Sequence, residues 1–226
     1  MAGEIGERGA AMNNTKPYVI TISRQLGSGG AYIGQKLASR LNILYVDREL
    51  INEAADKLGV MVEDLEVRDE RTTTIWQSFI NNMSYGNFVE YTPPAVLIPN
   101  SREIYQAEAE VISRIAEERP AVIIGRGGFH TLRQHPRCLN IFLHADLTFR
   151  TGRVMELYSL SEQKAKKLIE DTDRARAHYI HTVAGCNMAE ACNYHMSLDT
   201  GVLGMETVED IIVSALKARF QDIELP

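Results

Sequence analysis

Apolar and polar positions alternate along this chain in two distinct rhythms. "YVITIS" (18–23) is a short, uninterrupted, β-branched run, the pattern of a buried strand. Glycines crowd positions 27–30, and then Ile33, Leu37 and Leu41 recur every fourth residue, which sets them on one helix face. "NILYVD" (42–47) returns to the strand pattern. Strand, glycine loop, helix and strand make one βαβ unit, parallel with a right-handed crossover. The rhythm continues with a helix over 48–59 that ends at Gly59, a suitable C-cap. A strong helix follows over 103–118, with Ile104, Val111, Ile112 and Ile115 as its apolar stripe. Strands are predicted at "AVIIG" (121–125), "LNIFLH" (139–144) and "NYHMSLD" (193–199), and a closing helix at 208–220. Such alternation predicts an α/β sandwich with a mostly parallel central sheet of about five strands. In sheets of this kind ligands bind at the carboxyl ends of strands. The glycine loop and "GRGG" (125–128) both fall at such ends.

Two stretches break the alternation. Residues 60–102 mix aromatic and polar side chains, among them Trp76, Phe79, Tyr85, Phe88 and Tyr91. A segment of this length inside a compact domain reads as a functional insertion. Residues 146–184 are helical and arginine-rich, which suits a lid over an anionic ligand. Residues 1–16 carry neither an apolar signal-peptide core nor an arginine-rich transit pattern and read as a flexible tail, leaving 17–226 as a single domain.

Composition narrows the partners. The chain has 226 residues, 45% hydrophobic and 24% charged, ordinary values for one globular domain. No apolar run reaches the roughly 18 residues that a membrane span needs. Three cysteines, Cys138, Cys186 and Cys192, are too few and odd in number for a disulfide framework and favour a reducing, cytoplasmic setting. A net charge of −6 disfavours a broad sheath on nucleic acid but leaves room for a small arginine pocket around a nucleotide.

"ISRQLGSGGAYIG" (22–34) carries the sharpest chemistry. Side-chain-poor residues between a strand and a helix let successive amides turn inward as an anion nest, backed by the helix N-terminus. The plainer alternative is a tight turn without a ligand. Against the pattern G-x-x-x-x-G-K-[ST], Gly29 takes the second glycine's place, Arg24 the first glycine's, Gly30 the lysine's and Ala31 the hydroxyl's. Gly27, Ser28, Gly29, Gly30 and Ala31 are therefore the candidate phosphate loop. Arg24 is the nearest replacement for the absent lysine, unless it forms a surface ion pair. Ser23 or Ser28 could offer a hydroxyl to a metal.

The stretches "ISRQLGSGGAYIGQKLA", "YVDRELINEAADKLGV", "VIIGRGGFHTLRQHP", "DTDRARAHYIHTVAG" and "NYHMSLDTGVLGMETVEDII" occur in order over most of residues 18–216. In combination they resemble the cytidylate-kinase-like proteins, a branch of the P-loop nucleoside monophosphate kinases. The branch commonly has glycine-serine-glycine-glycine where other P-loops have glycine-lysine. The resemblance implies that the 27–30 loop holds ATP, that 60–102 is the acceptor-binding insertion and that 146–170 is the lid. It also implies that Asp47 belongs to the acceptor-site strand and that Arg126 grips the acceptor phosphate. Gly127 stands where those kinases have an aspartate that contacts the acceptor nucleoside, so base and sugar preference do not carry over.

Phosphoryl transfer depends on positioning and positive charge. Asp146 suits the N-cap of a helix on which Arg150 and Arg153 share a face at i, i+3, whether toward a ligand or toward water. Arg174 and Arg176 point about 200° apart on a helix, so only one meets a given ligand. Arg174 is the preferred catalytic residue by the resemblance, with an exposed pair to Glu170 as the alternative. Asp47 could order metal-bound waters, accept hydrogen bonds from the acceptor, or simply cap the helix that follows. His178, His181, Cys186, Cys192 and His195 are zinc-type residues, but their spacing matches no usual knuckle. Trp76 and its neighbours suit packing better than base stacking. The reading is an ATP- and Mg2+-dependent phosphotransferase on a nucleoside monophosphate, CMP or dCMP by resemblance. The alternatives are a nucleotide-binding regulatory module and a P-loop kinase for another small metabolite.

Overall fold

The computed structural model describes residues 16–47, 51 and 102–223. The helix expected over 48–59, apart from Ile51, and the insertion with Trp76 lie outside these residues. In chain order the elements are β1 (Val19–Arg24), α1 (Gly30–Leu41), β2 (Leu44–Val46), α2 (Arg102–Glu118), β3 (Ala121–Ile124) and α3 (Gly128–Thr131). Then come β4 (Cys138–His144), α4 (Leu147–Tyr158), α5 (Glu162–Ala184), β5 (Met196–Asp199), α6 (Thr200–Leu203) and α7 (Met205–Arg219).

The five strands form one sheet in the order β2-β3-β1-β4-β5. Every neighbouring pair is parallel, with Ile20 opposite Val122 on one side and Leu139 on the other. β1 is central and buried on both faces. Ile20 and Ile22 pack with Ile33 and Leu37 of α1 and with Val208, Ile212 and Leu216 of α7. Val19 packs the opposite way, with Val111, Ile112 and Ile115 of α2. A sheet between two helical layers results, with each fully buried Ile or Leu contributing about 1.5–3 kcal/mol. The apolar runs located the strands, and boundaries moved for local reasons. β2 starts only at Leu44 because Asn42, at φ 50°, ends α1 in the left-handed conformation. β5 starts at Met196 because residues 191–193 form a 3-10 turn.

α4 and α5 are a helical pair beside the sheet. Val154, Ala165 and Ile169 build a small core of their own, and Leu26 from the glycine loop inserts into it. The loop is thus packed against the arginine-rich helices. Among the described residues no helix is long and apolar enough to cross a membrane.

Candidate phosphate-binding site

β1 ends at Arg24, and α1 begins at Gly30 with Gly29 as its N-cap at φ 82°. No side chain caps this end. The first intrahelical bond is donated by the Ile33 N–H to the Gly29 carbonyl at 2.9 Å, so the amides before it have no acceptor within the helix. Gly27, at φ 85°, lies so close to α4 that a Cβ would sit 2.7 Å from the Arg150 carbonyl oxygen. A left-handed backbone and a helix overhead both require glycine there. The Ser28 hydroxyl is fully buried and donates inward, 2.9 Å from the Gln25 carbonyl and 3.2 Å from that of Leu143. It fastens the loop to the end of β4. The Ser28 hydroxyl, a metal candidate by sequence, is thus turned into the protein. Ser23, the other hydroxyl candidate, is buried on the sheet and faces the Tyr194 phenol.

Beneath the loop, the Asp173 carboxylate accepts from the Leu26 N–H at 2.8 Å and from Arg150 Nη1 at 2.6 Å. Arg150 also donates from Nε to the Ala145 carbonyl at 3.0 Å and from Nη1 to the Leu26 carbonyl at 3.2 Å. Asp146 caps α4 as its position suggested, accepting from the Phe149 N–H. Arg150 is buried, with Nε and Nη1 both donating to the protein. Arg150, expected on the transferring phosphoryl group, is held against Asp173 and the Leu26 carbonyl, under the loop.

Above the loop lies a cleft lined by Arg24, Arg153, Tyr158 and Arg176 together with the loop glycines and Ala31. Arg176 donates from Nη1 to the Arg24 main-chain carbonyl at 3.3 Å and sits 3.8 Å from Asp173. Burial lowers the Arg24 pKa, partly offset by Tyr45, Asp47 and Asp173. Burial, then the like charge of Arg24, lowers Arg176 to about 9. Two guanidinium groups thus crowd one cleft, an arrangement that an anion relieves. Arg174 points elsewhere, exposed on the outer face of α5 and paired with Glu170. The two arginines do diverge, and Arg176 rather than the preferred Arg174 lines the cleft.

A second buried network lies at the end of β3. Gly125, Arg126 and Gly127 are all left-handed, and the Arg126 side chain turns inward to pair with the fully buried Glu108 of α2. The Tyr179 hydroxyl donates to the other Glu108 oxygen at 2.9 Å, and the guanidinium lies 5.3 Å from the Tyr179 ring centroid. Arg126, expected on the acceptor phosphate, is engaged by a carboxylate that the sequence reading did not single out.

The family model described as "Cytidylate kinase-like family" matches residues 19–202. The chain belongs to the cytidylate kinase-like family. It is 27% identical over 157 residues to a uronate isomerase of Corynebacterium glutamicum, covering 69% of this chain but only 30% of that curated relative's length. Among solved structures it superposes on an uncharacterised protein from Eubacterium ventriosum ATCC 27560 at a TM-score of 0.67 and 21% identity, covering 89% of this chain and 99% of that one. A gluconokinase from Sinorhizobium meliloti 1021 follows at a TM-score of 0.51 and 11% identity, covering 89% and 93%. At such identities the likeness is one of fold, and the five-stranded parallel sheet between helices is the P-loop kinase fold.

For a cytidylate kinase-like chain the remaining metal candidate is Asp47, half-buried at the carboxyl end of β2 near Arg24. Its main-chain carbonyl accepts from the Ile51 N–H at 3.1 Å. No group of three or more metal-ligating side chains occurs among the described residues. Of the zinc-type residues, His178, His181 and Cys192 are exposed, and His195 Nδ1 accepts from the Asn140 N–H at 2.8 Å. Gly127 lies under the Tyr105 ring. Sequence reasoning missed Asp173 beside the loop and Glu108 in the network at the end of β3, and it weighed Arg176 but preferred Arg174.

Proposed function

We propose that the protein transfers a phosphoryl group from ATP to a nucleoside monophosphate, with CMP or dCMP the favoured acceptor. One observation carries the reading: an uncapped glycine loop at the start of α1 opens into a cleft lined by Arg24, Arg153 and Arg176. The amides of the first helical turn and the positive helix end suit the donor phosphates. The guanidinium groups suit the charge spread over the transferring group. Asp47 would help hold Mg2+ at the edge of the sheet, with the donor phosphates supplying the other oxygens. Bound there, the ion neutralises the charge on the donor. Arg150 and Asp173 keep the loop in shape and touch no substrate. Arg153 and Arg176 lie on α4 and α5, so motion of this helical pair over the cleft would bring charge in and exclude water.

An ADP-release assay across CMP, dCMP, UMP, AMP and non-nucleotide phosphate acceptors tests the reading. Turnover that is greatest with CMP or dCMP supports it. Turnover only with a non-nucleotide acceptor makes the protein a kinase for another small metabolite. ATP binding without turnover on any acceptor makes it a nucleotide-binding regulatory module, the reading that Arg126's engagement by Glu108 favours.

A further inference from the structure

Gly30 occupies the lysine's place in the P-loop pattern, yet its backbone does not require glycine. Its φ lies outside the left-handed region that Gly27 and Gly29 adopt. What forbids a side chain is Arg24. A Cβ on Gly30 would lie 2.7 Å from Arg24 Cβ and 2.8 Å from Arg24 Cγ, and the third nearest atom is Arg24 Cδ at 3.5 Å. Arg24 Cβ is fixed to the central strand and cannot swing aside. The side chain then continues across the first turn of α1 to Gly125 at the end of β3, where Nη1 fills the space a Cβ would need. Gly30 and Gly125 together clear its path.

We propose that Arg24 and Gly30 are one exchange: the cation of the phosphate loop has moved from the first residue of the helix to the last residue of the preceding strand, and it now fills the volume a lysine's stem would take. The proposal rests on the reading that this loop holds the donor's phosphates. It adds why a lysine cannot be present beside Arg24. An arginine in this place differs from a lysine in kind, since its planar fork meets two phosphoryl oxygens at once. The main-chain carbonyl of the same residue accepts from Arg176, which sets a second guanidinium beside it. In the register of the pattern, Arg24→Gly with Gly30→Lys regenerates glycine, four residues, glycine and lysine.

The exchange is tested with the full chain in a double-mutant cycle. Wild type, Arg24→Gly, Gly30→Lys and the double variant are titrated with Mg·ATP by calorimetry and melted without ligand. Arg24→Gly is expected to weaken binding about 10- to 100-fold, the range of a lost charge-assisted hydrogen bond. Gly30→Lys is expected to weaken binding and to lower the melting temperature, because its stem collides with Arg24. The double variant is expected to bind at least tenfold more tightly than either single variant and to recover the melting temperature that Gly30→Lys loses. Gly30→Ala isolates the packing half: it is expected to lower the melting temperature with Arg24 present and to leave it unchanged in the Arg24→Gly background. Additive effects in a wild type that binds Mg·ATP would overturn the exchange. A wild type that binds no Mg·ATP would instead overturn the donor reading, and the melting cycle of Gly30→Ala would still decide the packing half.

Discussion

Two sets of arginines in this molecule have opposite surroundings. Arg126 and Arg150 are buried and each faces a carboxylate, Glu108 in one case and Asp173 in the other. Arg24 and Arg176 face a cleft, lie beside each other, and have their charged forms disfavoured by burial. The first pair is matched by carboxylates of the protein, whereas the second crowds like charge into the cleft, with Arg176 at the longer distance of 3.8 Å from Asp173. Residue type, and even position in a family motif, does not separate these roles. The partner of the guanidinium does.

The sharpest way to break the comparison is to remove a carboxylate from the first set. Glu108→Ala leaves Arg126 buried with its charge uncompensated and should lower unfolding free energy by about 3–5 kcal/mol. Chemical denaturation measures it, and a loss below about 1 kcal/mol would mean that Arg126 can find another setting. Asp173→Asn weakens the hydrogen bonds that hold Leu26 and Arg150, for a cost of about 1.5–3 kcal/mol. It should also weaken ATP binding, since the loop loses its support; an unchanged affinity would separate loop shape from Asp173.

The second set should behave in reverse. Arg176→Ala relieves the repulsion felt beside Arg24, so the melting temperature should hold or rise. Affinity for ATP should fall about tenfold or more, the scale of one charge-assisted bond. A fall in melting temperature with affinity intact would move Arg176 into the first set. The smallest effect belongs to Arg174→Ala. Its exposed partnership with Glu170 is worth no more than about 0.5 kcal/mol, and both stability and ATP affinity should stay as they are. A tenfold loss of affinity there would restore Arg174 to the cleft.

The sheet was legible because buried parallel strands announce themselves as unbroken apolar runs. "YVITIS", "AVIIG" and "LNIFLH" each correspond to a strand. The loop was legible from its glycines. The arginines were not, because spacing fixes the angle between Arg174 and Arg176 but not which of them faces inward. The apolar stripe of α5 held the answer. Ile169, Thr172 and Tyr179 are buried, and Asp173 and Arg176 fall four residues after Ile169 and Thr172, on the same side. Arg174 falls four after the exposed Glu170. Glu108 gave a similar signal: a carboxylate three before Val111 and four before Ile112, on the buried stripe of α2, demands a cation. Arg126's inward turn could not be read, since it depends on a left-handed backbone at a non-glycine residue.

The most direct measurement follows backbone amide resonances during titration with Mg·ATP. The account predicts that the amides of Gly27, Ser28, Gly29 and Gly30 shift saturably, with the Arg24 and Arg176 guanidinium signals moving at the same nucleotide concentration. Nucleotide binding that left those four amides unmoved would contradict it.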